Sequence, residues 1–106
     1  MIIRIVTFRL DGIDEDQYQR HAVSVADTFN RWTGLQAKLW LADRTAGVYG
    51  GVYLFDSQAA ADHSRSTPGF KAMLENPAFA DLSVREYEVL DEPTAITASS
   101  LLAVTG

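Results

Sequence analysis

Lys38, Trp40, Tyr49 and Tyr53 are the side chains whose types and spacing best suit chemistry, and they alternate along two strand-like runs between Gly34 and Asp56. An amine among phenol and indole rings suits the anion of an electron-rich ring. The amine balances an enolate or phenolate, a tyrosine hydroxyl of Tyr53 or Tyr49 donates to the developing oxyanion, and the flat side chains stack on the ring. Lys38 and Tyr53 are thus the candidate catalytic residues, with Trp40 and Tyr49 as substrate-binding neighbours. A plainer reading stands beside this one: the aromatics pack at a subunit interface, where such residues are enriched, and Lys38 pairs with Glu86 or Glu88. His21, at the edge of a helical apolar stripe and close to Trp32, and His63 and Arg65 on a later helix are further candidates for substrate binding at a pocket mouth. The plainer reading, which their types favour, makes His21 a partly buried helix residue and His63 and Arg65 solvated ones.

The case for one chemical face depends on register. With a turn at Asp43-Arg44-Thr45-Ala46-Gly47, Trp40 falls opposite Tyr49, Lys38 opposite Gly51 and Gln36 opposite Tyr53. Leu35, Ala37, Leu39, Leu41, Val48, Gly50, Val52 and Leu54 then share the other face, and a slip of one residue would mix the two sets. Gly50-Gly51 allows another group to approach the sheet closely.

The remaining elements follow from local signals. Met1 to Leu10 alternates as a first strand. Asp14 with Gln17 forms a capping box, and Tyr18, Ala22, Val25, Phe29 and Trp32 give a helix whose stripe is expected on the aliphatic sheet face, with Gly34 ending it. Asp56 or Ser57 caps a second helix reaching Ser66, Thr67-Pro68 opens a third, and Asn76-Pro77 stops it. Leu82 to Leu90 reads as the last strand, ended by Asp91-Glu92-Pro93. This order is the split βαβ arrangement: an α+β, ferredoxin-like domain over residues 1–93, with a four-stranded antiparallel sheet and helices on one face. The aromatic face, Phe55 included, is expected to be the uncovered one, which implies a homodimer through the sheet face. The tail, 94–106, carries Ile96, Leu101, Leu102 and Val104 and is expected to pack on the domain or cross to the partner subunit as an edge strand.

Composition narrows the function classes. The 106-residue chain has no cysteine, so disulfides, thiolate nucleophiles and iron–sulfur sites are excluded. Fourteen acidic against nine basic residues give a net charge of −5, which disfavours nucleic acid. No segment has transmembrane length, no membrane partner is expected, and the default location is cytoplasmic. Two histidines on different helices give little support for a metal, and no cofactor fingerprint is present, so none is expected.

Lys38-Leu39-Trp40 with Gly50-Gly51-Val52-Tyr53-Leu54-Phe55, together with Tyr87-Glu88-Val89 and Asp91-Glu92-Pro93, resembles the YdhR-type monooxygenase family of the dimeric α+β barrel superfamily. The resemblance runs from the first strand to Pro93 and implies the ferredoxin-like fold, a dimer, and a cofactor-independent monooxygenase acting on a small aromatic or polyketide-like compound. The alternative on the same fold is a non-catalytic dimeric binding or stress-response protein, or a cyclase or isomerase.

Overall fold

The computed structural model describes residues 1–100. Strand β1 (Ile2–Leu10) leads into helix α1 (Glu15–Phe29), the hairpin β2 (Leu35–Asp43) and β3 (Val48–Phe55), helices α2 (Gln58–Ser64) and α3 (Pro68–Glu75), strand β4 (Phe79–Glu88) and a short helix α4 (Asp91–Thr97). The strands form one antiparallel sheet in the order β2-β3-β1-β4, the ferredoxin-like arrangement.

Helix starts are where capping chemistry places them. The Asp14 carboxylate accepts from the Gln17 amide while the Gln17 side chain accepts from the Asp14 amide. Ser57 caps α2, and Thr67 caps α3 with Pro68 in its first turn. The last strand starts earlier than expected, at Phe79, and stops at Glu88. Asp91-Glu92-Pro93 does not merely end that strand: it opens α4, where two acids favour the helix dipole and proline tolerates the first turn. Residues 94–97 are therefore helical and form no edge strand, and Ile96 is 85% exposed. Leu101, Leu102 and Val104 lie outside the described residues.

Two corrections concern the sheet. In the hairpin, Lys38 pairs with Tyr53, Trp40 with Gly51 and Ala42 with Tyr49, a shift of two residues from the expected register. The cause is the turn, which sits one residue further along the chain than expected. Asp43 pairs with Val48, its carboxylate accepts from the Ala46 amide, and Gly47 takes φ 69°. A two-residue shift preserves parity, so Lys38, Trp40, Tyr49 and Tyr53 still share one face. A bulge at Gln36 reverses parity only at the strand's start, bringing Leu35 opposite Phe55 and into the core.

The second correction is larger: the helices cover the aromatic face, not the aliphatic one. Ile2, Arg4, Val6 and Phe8 of β1 are buried beside Tyr49, Tyr53 and Phe55 of β3, and Phe55 is wholly inaccessible. Tyr18 of α1 packs on Phe8 and Tyr49, and Phe29 packs on Trp40 and Tyr53. Aromatic rings on both α1 and the sheet bury more area between the layers than aliphatics could, since each is larger. The aliphatic face, with Leu39 64% and Leu41 36% exposed, is the uncovered one. Gly50 lies on that face with φ 156°, where a Cβ would overlap the Val6 carbonyl oxygen, so only glycine allows β1 and β3 to meet there.

Candidate functional site

Between the sheet and its helices lies a cavity of about 380 Å³, within the range of small-molecule sites. Its floor is Val6, Phe8, Lys38, Trp40, Gly51 and Tyr53 from three adjacent strands. Its sides are Tyr18, His21, Val25, Thr28 and Phe29 from α1, Trp32 just beyond it, and Pro68, Phe70, Met73 and Asn76 on the α3 side. Phe79 closes one end, stacked on Phe8 with centroids 4.2 Å apart. The lining is overwhelmingly apolar, with a few polar groups at intervals.

Lys38 is the charged exception. Its Nζ lies 3.5 Å from the ring centroids of both Phe29 and Trp40 and 4.6 Å from that of Tyr53. Its ammonium forms no ion pair among the described residues. Glu86, its expected partner, is occupied by Arg4 Nε at 2.8 Å and Arg65 at 2.7 Å. Loss of hydration lowers the Lys38 pKa from 10.5 to about 7, while the surrounding ring faces favour the ammonium and oppose part of that drop. Gly51 makes room for the Lys38 side chain, since a Cβ there would stand 3.0 Å from Lys38 Cε.

Tyr53 lies beside Lys38 on the floor, stacked on Trp32 with centroids 6.0 Å apart at 16°. Burial pushes its phenol well above the usual tyrosine range, so it remains a protonated donor under physiological conditions. The Arg4 guanidinium lies 5.9 Å from the Tyr53 ring centroid and its charge opposes part of that rise, while its three hydrogen bonds go to Glu86, the Ser64 hydroxyl and the Ala61 carbonyl. Tyr18, also buried, is pushed up to about 12.

Of the seven residues singled out from sequence, Lys38, Trp40, Tyr53 and His21 come together around this cavity. His21, itself exposed, reaches it beside Phe79, at 6.4 Å between ring centroids, next to the buried Ala22 of α1. The other three lie elsewhere. Tyr49 shares the face, but its hydroxyl donates to Glu15 at 2.9 Å, beside the Arg44–Glu15 ion pair. His63 is exposed on α2. Arg65 is engaged with Glu86, its guanidinium 5.4 Å from the Phe70 ring centroid.

Sequence reasoning missed Arg4, which is fully buried and central to the structure under the site. Its guanidinium lies 4.8 Å from the Phe55 centroid and 5.1 Å from that of Phe70, tying β1, β4 and α2 together. Burial pushes the Glu86 carboxyl up, but hydrogen bonds from Arg4 and Arg65 outweigh this and hold it below the usual range. The signal was present in the alternation Ile2, Arg4, Val6, Phe8, where a cation sits at an inward position. Among the described residues, no three His, Asp or Glu side chains gather into a metal-binding cluster, and no helix is long and apolar enough to cross a membrane.

A family model described as "Putative mono-oxygenase ydhR" matches residues 3–100. The chain belongs to this family. No curated protein gives a significant match. Among solved structures, this YdhR-family chain is similar to a "putative antibiotic biosynthesis monooxygenase" from Deinococcus radiodurans, with a TM-score of 0.70 and 19% identity over 84% of this chain and 92% of that one. It is also similar to SnoaB, a cofactor-independent oxygenase from Streptomyces nogalater, with a TM-score of 0.66 and 17% identity over 86% and 97% of the two chains. A third, MhuD with two manganese protoporphyrin IX molecules bound per active site, has a TM-score of 0.69 and 17% identity over 85% and 95%. At such identities the likeness is one of fold.

Proposed function

We propose that this YdhR-family chain is a cofactor-independent monooxygenase of a phenolic or enolic aromatic compound, bound between the sheet and α1. The observation that carries the reading is Lys38: an amine without a carboxylate partner among the described residues, set in a ring-lined cavity. Its neutral form accepts the proton of a bound phenol, and the resulting ammonium holds the phenolate. Tyr53 donates a hydrogen bond to the same oxygen, while Trp32, Trp40 and Phe29 confine the ring. The electron-rich phenolate then reacts with dioxygen. One oxygen atom enters the ring to give a quinone and the other leaves as water, so each phenol consumes one dioxygen. The low polarity of the site favours this because the anion is desolvated and held by fixed groups. The SnoaB likeness is consistent with such chemistry.

The test is an oxygen electrode with a panel of naphthols and hydroxyanthracenes, followed by quinone detection. Equal consumption of dioxygen and appearance of quinone, abolished in Lys38→Met, is the expected result. Tight binding of these compounds with no oxygen uptake would leave a binding module instead.

We further infer that a second copy of the chain covers the aliphatic face. Leu39, Leu41 and the 51% exposed Tyr87 leave apolar surface in water on a sheet with no covering layer. A symmetric contact of well over about 1,000 Å² is expected. Light scattering showing a monomer at micromolar concentration contradicts it.

A further inference from the structure

The chain has only two lysines, and they occupy opposite environments. Lys71 is exposed on α3, whereas Lys38 projects into the ring-lined cavity. Three properties of the Lys38 amine go beyond balancing an anion. Among the described residues it has no carboxylate to hold it as an ammonium, and Glu86 serves Arg4 and Arg65. It stands against aromatic rings in a space that takes a ring-sized molecule, so a carbonyl attached to such a ring is delivered to Nζ. The apolar lining also excludes the water that would hydrolyse the product of an amine with a carbonyl.

We propose that Lys38 is a carbonyl-capturing nucleophile that forms an imine with aromatic or conjugated aldehydes and ketones bound in the cavity. The Nζ lone pair attacks the carbonyl carbon and the C=O π bond opens to a carbinolamine. The two protons of the neutral amine leave with the carbonyl oxygen as one water, and a C=N bond joins ligand to Lys38. No oxidant or reductant is consumed. The lowered basicity of the amine supports the assignment, because the neutral form is the nucleophile. Such an adduct gives the site a second ligand class, carbonyl compounds, beside the phenols of the proposed oxygenation.

The experiment is reductive trapping of the intact chain with 2-naphthaldehyde and cyanoborohydride at neutral pH, followed by intact mass and peptide mapping. The expected result is a single reduced adduct on Lys38, with Lys71 unmodified. It should be lost in Lys38→Met and retained in Lys71→Arg. Naphthalene in excess should suppress the adduct in the unmodified chain, which checks the cavity requirement without any substitution. Labelling that falls equally on Lys71, that resists naphthalene, or that is absent from Lys38 overturns the proposal. Naphthol binding and oxygen uptake are read separately: an adduct without oxygen uptake sinks the oxygenase reading alone, and oxygen uptake without an adduct sinks the imine alone.

Discussion

The two faces of one sheet are both apolar, yet they do different work. One carries Ile2, Val6, Phe8, Tyr53 and Phe55 beneath the helices, with Arg4 and Lys38 set among them. The other carries Leu39, Leu41, Val48 and Val52 with no layer over it. Among the described residues the aliphatic face has no buried cation, as suits a surface for another copy. The aromatic face combines cations with rings and a cavity, as suits a ligand. Large rings do not fill space as evenly as branched aliphatics, and the gap they leave around Lys38 is the site.

The largest effect expected from breaking this contrast is at Arg4. Removing its buried guanidinium in Arg4→Ala takes from Glu86 one of its two cations and empties the space of a fully buried side chain, which should cost about 3 kcal/mol in urea denaturation, although the Ser64 hydroxyl keeps its bond to the Ala61 carbonyl. Arg9→Ala, five residues on and with its exposed guanidinium near Asp81, should change stability by no more than about 0.5 kcal/mol. Equal costs would show that the two faces are not so distinct.

Next in size is a charge on the open face. Leu39→Asp should weaken self-association about 30-fold, roughly 2 kcal/mol, as measured by analytical ultracentrifugation, with ligand binding in the cavity retained. Loss of ligand binding together with the dimer would instead make the cavity dependent on the partner. A smaller effect is expected at Tyr49→Phe, which removes the hydrogen bond to Glu15 and should lower the melting temperature slightly while leaving ligand affinity unchanged.

A separate effect concerns pH. Folding lowers the Lys38 pKa from 10.5 to about 7, so between those values the unfolded chain binds more protons and stability should rise with pH. Below about 7 both states are protonated and the cost of desolvating the ammonium is fully present. Above 10 the raised Tyr18 and Tyr53 come into play: their unfolded phenols ionise first, and stability falls again. Lys38→Met should flatten the rise and raise the melting temperature at neutral pH. An unchanged slope in that variant would mean that Lys38 is hydrated in solution.

Much of this was legible in the residues themselves. Side-chain parity survived a register error of two, so Lys38, Trp40 and Tyr53 were grouped correctly although their cross-strand partners were not. Caps at Asp14, Ser57 and Thr67 were readable because each satisfies local amide donors. What could not be read was which face the helices would cover. Both faces of β2 and β3 are apolar, and the choice depends on the fit of Tyr18, Phe29 and Trp32 against the sheet, a matter of shape between elements distant in sequence. The bulge at Gln36 escaped notice for a related reason, since a half-buried polar residue at a strand start carries no mark of an extra insertion. Arg4 was visible as a charge in a strand, but its partners Ala61, Ser64 and Glu86 are 57, 60 and 82 residues away.

The central claim is that the aromatic face holds an ionisable ring against Lys38, and calorimetric titration of 1-naphthol and of naphthalene into the unmodified chain and Lys38→Met tests it most directly. Both ligands should bind the unmodified chain. In Lys38→Met, naphthalene should bind as well as before or better, because the cavity becomes uniformly apolar, whereas naphthol should lose about tenfold or more in affinity, roughly 1.4 kcal/mol, the contribution of one charge-assisted contact. Equal affinity of naphthol for the two chains would contradict the account, because the ring would then be held without its oxygen meeting Lys38.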